Sequence, residues 1–319
     1  MSGKQKVLVS IDVESPIGVN GVEKLIYGKT IDGEYGINKI MDILDKYHIK
    51  GLFFVDIAEA WEYGENQIKQ VMCDIEKRGH NVGVHLHPDR MADKNRKYLW
   101  QYSYEEQYEL IKKVTEFYVD TLGHYPISFR AGRYGANNET IDILKELEYK
   151  IDMSMYYGMK KRCKIDGEYQ TINKVKNINN ICEIPVTVFK SFDMFNYRRF
   201  DKIDESMPFS EFKYVLKKIE QEKSVDVISF FMHSFSILDW RVNPDNPEYS
   251  QRNYKRIIKM IQFCKDNGYN FIGEEDCILN KVKYYCENKE LCTNNNIGSI
   301  FYSFVRAYKI IKEKLIRNI

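Results

Sequence analysis

Two patterns of hydrophobic positions alternate along this chain, one typical of strands and one typical of helices. Short runs of β-branched and aromatic residues, such as 7–11 and 52–55, are typical of buried strands. Between such runs, apolar residues recur every three to four positions, which predicts helices with one buried face. The first of these stripes consists of Ile37, Ile40, Met41 and Leu44. Up to residue 154, the pattern therefore predicts strands and helices in strict alternation.

The alternation is interrupted once. Residues 155–182 are rich in Lys, Asn and Tyr, and we predict an inserted hairpin or lid there. Regular order then returns, with predicted strands at 183–188, 225–231 and 269–272 separated by helices. Parallel neighbours need crossover helices, so this pattern favours a mostly parallel sheet. We predict an α/β fold, a distorted (β/α) barrel with seven or eight strands, over residues 1–275.

Residues 276–319 are predicted to form a C-terminal helical extension. Within it, one side of the segment 300–319 is apolar and basic residues lie largely elsewhere. The apolar positions are Phe301, Phe304, Val305, Tyr308, Ile311 and Leu315. Such a helix can pack on its own barrel, on a partner or on an anionic membrane surface. We favour packing on the barrel.

Composition narrows the classes of function. The 48 basic residues nearly balance 46 acidic ones, so the charge gives no reason to expect a nucleic-acid partner. The seven cysteines form no Cys-x-x-Cys pair, which fits a reducing compartment. The N-terminus runs directly into the first strand, leaving no room for a signal peptide, and no apolar run reaches the ~20 residues that span a bilayer. We expect a cytoplasmic protein.

Charged and imidazole side chains follow the predicted strands. His85 and His87 close one strand, and alternate residues of an extended chain point the same way, roughly 7 Å apart at Cα. Asp12 and Glu14 have the same spacing after the first strand. Either pattern alone could be a surface feature beside a turn. Together they predict one pocket, because the carboxyl ends of barrel strands meet at one face.

Two further strand ends add to this pocket, Arg130 after the fourth strand and His233 after the strand at 225–231. A mixed set of imidazoles and carboxylates suits Zn²⁺ and also accepts Co²⁺, Ni²⁺, Mn²⁺ or Fe²⁺. The metal would lower the pKa of a bound water, and the second carboxylate would take its proton during attack on a carbonyl. Which of Asp12 and Glu14 holds the metal stays open here.

The same pocket suggests partners for the rest of the reaction. Backbone N–H groups near Tyr134 could stabilise the developing oxyanion, and His233 could protonate a departing nitrogen. Arg133 could contact substrate or pair with a nearby carboxylate. Trp240 lies on a loop that would cover the site, where an aromatic ring could stack on a sugar or anchor the loop in the core.

Four stretches together resemble the polysaccharide deacetylase family, the chitooligosaccharide-deacetylase-like carbohydrate esterases. They are SIDVE at 10–14, GHNVGVHLHP at 79–88, FRAGRYG at 129–135 and FMH at 231–233. The resemblance runs in order from residue 6 to about 240. It implies a distorted barrel of about seven strands and metal-dependent hydrolysis of an N-acetyl group from an amino sugar.

Carried onto this chain, the resemblance implies Asp12 as the base and Arg130 as the residue that orients it. It implies Glu14, His85 and a further group as metal ligands, and His233 as the acid.

This sequence departs from the commonest members at two points. Those members have adjacent carboxylates after the first strand, whereas Val13 intervenes here. They also place the second histidine four residues after the first, where this chain has Asp89. We favour His87 over Asp89 as the third ligand because imidazole is the better zinc ligand.

The sequence therefore predicts a metal-dependent carbohydrate N-deacetylase. The expected substrate is a nucleotide-linked, lipid-linked or small intracellular saccharide of glycan biosynthesis. A deformylase or other C–N hydrolase of the same fold is one alternative, and a non-catalytic glycan-binding barrel is another. Neither the sugar nor the oligomeric state follows from the sequence.

Overall fold

The computed structural model describes residues 5–16, 21–194, 197–241 and 243–278, together with residues 301, 302, 304 and 308. Its centre is a nine-stranded sheet. The strands are β1 Lys6–Val13, β2 Leu52–Asp56, β3 Asn81–Leu86, β4 Ser128–Ala131, β5 Ile151–Asp152, β6 Lys176–Ile178, β7 Ile181–Glu183, β8 Val227–His233 and β9 Asn270–Phe271.

The strand order is β8-β1-β2-β3-β4-β5-β7-β6, and β9 pairs with the beginning of β1. Every pair in this sheet is parallel except β6 with β7, which form a hairpin. The sheet curls into a half-barrel. The predicted α/β fold with mostly parallel strands is thus confirmed.

Helices connect the strands as the apolar stripes predict. Their bounds are α1 Ile37–Lys46, α2 Ala60–Tyr63, α3 Glu65–Lys77, α4 Tyr104–Leu122, α5 Asn138–Glu146, α6 Phe209–Glu222 and α7 Gln251–Asp266. Local signals fix their ends. Helix α4 begins where the Ser103 hydroxyl accepts the N–H of Glu106 and the Glu106 carboxylate accepts that of Ser103, and it ends at Gly123 with φ 78°.

The inserted segment has only part of the predicted form. Its last residues form the β6–β7 hairpin at the sheet edge, and a short 3₁₀ turn, Gly167–Tyr169, precedes it. The continuous strand predicted at 183–188 is wrong, because the strand ends at Glu183 and a new one starts at Val188. That new strand, Val188–Met194, pairs with Tyr197–Lys202 in an antiparallel hairpin outside the main sheet.

The register of the sheet aligns the predicted pocket. Asp12 on β1 lies opposite His233 on β8. His85 on β3 lies between Asp56 on β2 and Arg130 on β4. Asp12 and His233 lie two residues earlier along the sheet than Asp56, His85 and Arg130, because Asp12 is level with Phe54. Polar side chains from five adjacent strands thus lie near the carboxyl edge of a sheet whose body is apolar and buried.

No helix in the described ranges is long and apolar enough to cross a membrane. Most of the predicted C-terminal helix, including Val305, Ile311 and Leu315, lies outside the described residues. The described positions there are helical, and Phe301, Phe304 and Tyr308 are 61%, 71% and 69% exposed. The domain boundary at residue 275 and the surface on which this helix packs stay predictions.

Candidate metal centre and active site

Three side chains converge at the carboxyl edge of the sheet. One Glu14 oxygen, Oε2, lies 2.7 Å from Nε2 of His87 and 3.5 Å from Nε2 of His85. The ligand atoms of all three residues lie within 4.8 Å of one another. Oε2 is buried and forms no hydrogen bond of regular geometry with any described residue. Two nitrogens and one oxygen placed in this way could hold a single divalent cation.

The charges around this triad favour a cation. Burial by itself would raise the pKa of Glu14, but His87 and His85 lower it well below the usual value, so Glu14 is a carboxylate. Burial would lower the pKa of His85, and the carboxylates of Asp12 and Glu14 outweigh it and raise that pKa. The pocket is thus one in which acidic groups stabilise positive charge.

A backbone contact orients His85. Its Nδ1 lies 2.8 Å from the carbonyl oxygen of Arg130. A carbonyl oxygen can only accept a hydrogen bond, so Nδ1 carries the hydrogen and Nε2 faces Glu14 with its lone pair in the neutral tautomer. This is the usual arrangement of a metal-binding histidine and its supporting acceptor.

His87 is seated by two different neighbours. Its backbone N–H donates to Oδ1 of Asp56 over 3.2 Å. Its ring packs against Gly132, where a Cβ atom would lie 2.7 Å from the ring atoms Cγ and Cδ2. The absence of a side chain at residue 132 therefore makes room for this imidazole.

Asp12 is held beside the triad by a fully buried arginine. Arg130 donates from Nη1 to Oδ1 of Asp12 over 2.5 Å and from Nη2 to the hydroxyl of Ser10 over 2.9 Å. Its guanidinium also lies 4.2 Å from the ring centre of Phe54. Burial would raise the pKa of Asp12, but Arg130 and the two nearby imidazoles lower it. Asp12 is thus a carboxylate, and its second oxygen lies 3.8 Å from Nε2 of His85.

His233 lies on the opposite side of Glu14, with Nε2 3.7 Å from Oε1. Its ring stacks on Phe235 at 4.7 Å and contacts the edge of Phe231 at 4.6 Å. Burial above all, with the charge of Lys202, lowers the pKa of His233 to about 4 against the opposing effect of Glu14. The imidazole is therefore neutral near pH 7, and it can act as an acid only after taking up a proton.

The structure separates Asp89 from the triad. Its two oxygens accept hydrogen bonds from Arg133 over 2.7 and 3.1 Å. His87, rather than Asp89, shares the cluster with Glu14 and His85. Arg133 is accordingly engaged in an ion pair, and its direct contact with substrate stays a prediction.

Tyr134 and Trp240, the other two predicted substrate-binding residues, lie at the margin of the site. Tyr134 is buried, and its hydroxyl accepts a hydrogen bond from Lys202 over 3.2 Å. Trp240 packs against Phe235, which in turn stacks on His233. Trp240 is thus two rings away from the centre, and its role in binding also stays a prediction.

The sequence reasoning missed a buried ionic cluster behind the triad. Arg90 pairs with Asp56 at 2.9 Å and with Glu59 at 3.2 Å. Glu59 also accepts the backbone N–H of Ser15 over 2.6 Å. These contacts tie together the loops that follow β1, β2 and β3 and that carry Glu14 and His87. Asp56 could have been found, because it ends a buried strand in the way Asp12 does.

Comparisons with known proteins agree with this picture. Residues 28–151 match the family model described as polysaccharide deacetylase, which confirms the resemblance seen in the sequence. This stretch includes His85, His87 and Arg130 but neither Asp12 nor His233. A comparison with curated proteins gave no match.

Solved structures resemble the chain in fold. A crystal structure from Mycobacterium smegmatis, assigned as a polysaccharide deacetylase, is 14% identical with a TM-score of 0.55, covering 86% of this chain and 89% of that one. The peptidoglycan deacetylase PdaC from Bacillus subtilis is 13% identical with a TM-score of 0.41 and 98% coverage of both chains. BA3943 from Bacillus anthracis, a CE4 family pseudoenzyme, is 13% identical with a TM-score of 0.41, covering 84% and 63%. At these identities the likeness concerns the fold alone.

Proposed function

We propose that this chain, which matches the polysaccharide deacetylase family model, is a metal-dependent hydrolase that removes an N-acetyl group from an amino sugar or glycan precursor. The observation that supports this most directly is the convergence of Glu14, His85 and His87 beside an aspartate held by a buried arginine. A sheet of this kind needs no such cluster for stability. Buried charges are costly unless they are paired or coordinated.

In this proposal Glu14, His85 and His87 hold the divalent ion. When bound, the ion supplies Lewis acidity and lowers the pKa of water in its coordination sphere. Asp12 accepts the proton of the attacking water through the oxygen that Arg130 does not engage. Arg130 fixes the direction of that oxygen and keeps Asp12 ionised at neutral pH.

His233 serves the other end of the reaction. It lies opposite Asp12 in the register of β1 and β8, so the two side chains flank the same space. Its lowered pKa keeps the imidazole neutral near pH 7 and makes it a strong donor once it has received the proton that Asp12 takes from the water. The amide nitrogen needs such a donor, because an amine leaves only after protonation.

We further propose a cytoplasmic location and a nucleotide-linked, lipid-linked or small saccharide as substrate. Zn²⁺ is the proposed native ion because two imidazoles and one carboxylate, with a position left for water, form a typical catalytic zinc set.

Acetate release from N-acetylated sugars tests the proposal. We expect activity that a chelator removes and Zn²⁺ or Co²⁺ restores. Asp12→Asn should lower kcat by at least 10²-fold, the usual contribution of a general base. Asp120→Asn, at an exposed position on α4, is the matched control and should have no effect. Formate or ammonia as the product would overturn the acetyl assignment, and stoichiometric metal with no turnover of any substrate would favour a glycan-binding barrel.

A further inference from the structure

Lys202 lies on a segment that runs beside β8 and places the lysine side chain near the site. The hairpin formed by Val188–Met194 and Tyr197–Lys202 continues directly into residues that run beside β8. The N–H of Phe231 donates to the carbonyl of Ile203 over 3.2 Å, and the N–H of Glu205 donates to the carbonyl of Phe231 over 3.3 Å. These bonds put Asp204 level with Phe231, so the backbone of Lys202 lies about two residues earlier along β8 and its side chain reaches the Phe231 ring.

The ammonium group of Lys202 faces the rings that line the site. Nζ lies 3.2 Å from the ring centre of Phe231 and donates a hydrogen bond to the Tyr134 hydroxyl over 3.2 Å. The Phe231 ring contacts that of His233 at 4.6 Å. The charge of Asp12 also acts on Lys202, which places the ammonium within electrostatic reach of the proposed base.

The neighbouring arginines form direct ion pairs, whereas Lys202 is acted on only at longer range by the carboxylates of Asp204, Asp12 and Glu205. Arg130 pairs with Asp12 at 2.5 Å, and Arg133 pairs with Asp89 at 2.7 Å. For Lys202, no carboxylate of the described chain lies within the 4.0 Å that defines an ion pair. An ammonium has three donors, and the Tyr134 hydroxyl uses one of them. A partly desolvated cation with spare donors is costly unless a further partner satisfies it.

We propose that Lys202 binds a negatively charged oxygen group of the substrate, a phosphate or a carboxylate, next to the sugar that carries the acyl group. That the substrate is a sugar rests on the proposed function, whereas the anion-binding role of Lys202 does not. The lysine side chain suits the task because its ammonium is a compact point charge on a flexible stem, as in many phosphate sites. Substrates with such a charge would be sugar phosphates, nucleotide- or lipid-linked sugars, or acidic sugars.

The test compares charged and neutral sugars on three variants of the zinc-loaded full chain. The probes are N-acetylglucosamine, N-acetylglucosamine 1-phosphate and N-acetylmuramic acid. We expect wild type to prefer at least one charged sugar, and the ratio of its kcat/KM to that of the neutral sugar should fall roughly 10- to 100-fold in Lys202→Met. Lys202→Arg should keep most of the preference. Comparing N-acetylglucosamine 1-phosphate with N-acetylmuramic acid shows whether a phosphate or a carboxylate is preferred.

Lys213→Met is the matched control, since its ammonium also lies over a phenylalanine ring, that of Phe209 at 5.1 Å, on the surface of α6. It should leave the ratio unchanged. If Lys202→Met lowers turnover of neutral and charged sugars by the same factor, the lysine acts on the acyl group and the inference is wrong.

Calorimetric binding of the same three sugars separates this inference from the proposed function. If no sugar is hydrolysed, the proposed function fails, yet a loss of affinity for the charged sugars in Lys202→Met would still support anion binding. If wild type binds charged and neutral sugars equally, the inference is overturned whatever the activity. This last comparison needs no variant, so it stands even if Lys202→Met does not fold.

Discussion

The identity of the third metal ligand is the prediction on which the site depends most. His87→Ala removes an imidazole whose Nε2 lies 2.7 Å from Glu14 Oε2. Asp89→Asn removes a negative charge at the position where the resemblance to the polysaccharide deacetylase family would place a second histidine. The two substitutions lie two residues apart, so each serves as the control for the other.

Geometry sets the expected magnitude. Ligands of a tetrahedral zinc ion at about 2.0–2.1 Å stand about 3.4 Å from one another. The three ligand atoms here lie within 4.8 Å, so the longest separation would shorten by no more than about 1.4 Å, and the 2.7 Å contact between His87 and Glu14 would lengthen by about 0.7 Å. Asp89 would instead have to leave the two hydrogen bonds it receives from Arg133. Breaking a buried hydrogen-bonded charge pair costs about 3–5 kcal/mol.

We therefore expect His87→Ala to weaken Zn²⁺ binding by more than the roughly 10- to 100-fold that loss of a supporting contact costs. Asp89→Asn should change the affinity by less than about 10-fold. Metal content after dialysis and the visible spectrum of the Co²⁺ form measure both effects without any assay of activity. Full metal occupancy in His87→Ala together with loss in Asp89→Asn would refute the assignment and restore the four-residue spacing.

Three other substitutions probe the surroundings of the site. Gly132→Ala places a methyl group 2.7 Å from the ring of His87 and from the carbonyl oxygen of Leu86, so we expect a local shift of this loop and a roughly 10- to 100-fold fall in metal affinity. Arg130→Gln leaves the Asp12 carboxylate buried without its partner, so chemical denaturation should show a loss of about 3–5 kcal/mol in the free energy of unfolding. Burial raises the pKa of Glu274 to about 7 from 4.5, so its contribution to stability declines as pH rises from about 4.5 through 7. Glu274→Gln should therefore be more stable than wild type at pH 8, by up to about 3 kcal/mol, and should gain nothing at pH 4.

A control or a contradicting outcome accompanies each of these three substitutions. Combining Arg130→Gln with Asp12→Asn should recover stability without recovering activity, and a double variant as unstable as the single one would contradict the pairing argument. Glu275→Gln is the control for residue 274. Burial would raise the pKa of Glu275, but Lys50 and Asn81 lower it, so losing that charge should reduce stability at neutral pH. Unchanged metal affinity in Gly132→Ala would show that His87 has another way to accommodate the methyl group.

The order of strands and helices could be predicted because each element carries its own local signal. The stripe on α1, the capping residues of α4 and the buried run of β1 all work through neighbours close in sequence. The grouping of Asp12 with His233 could also be predicted, because the last residues of parallel strands lie at the same edge of the sheet. The break between Glu183 and Val188 did not follow, because an apolar run is compatible with one strand or two.

Pairings between distant side chains could not be predicted in the same way. Nothing in the sequence around Asp89 indicates that Arg133 engages it, and this contact decides which residue can act as the third ligand. The same holds for Arg90, whose three acidic partners lie at the end of β2 and on the turn and helix that follow it. Such contacts depend on the distance between loops, which periodicity along one chain does not fix.

The position of His87, two residues after His85, depends on the groups that surround the end of β3. A histidine two residues beyond His85 extends from the strand itself, so its position depends on what lies beside the strand end. Here Asp56 holds its backbone from one side, and Gly132 leaves space for its ring on the other. Asp89 holds the loop of Arg133 and Tyr134, and the Tyr134 hydroxyl of that loop accepts a hydrogen bond from Lys202. We expect that adding Asp89→His to His87→Ala does not restore metal binding, because the Arg133 guanidinium that pairs with Asp89 would stay beside the new imidazole.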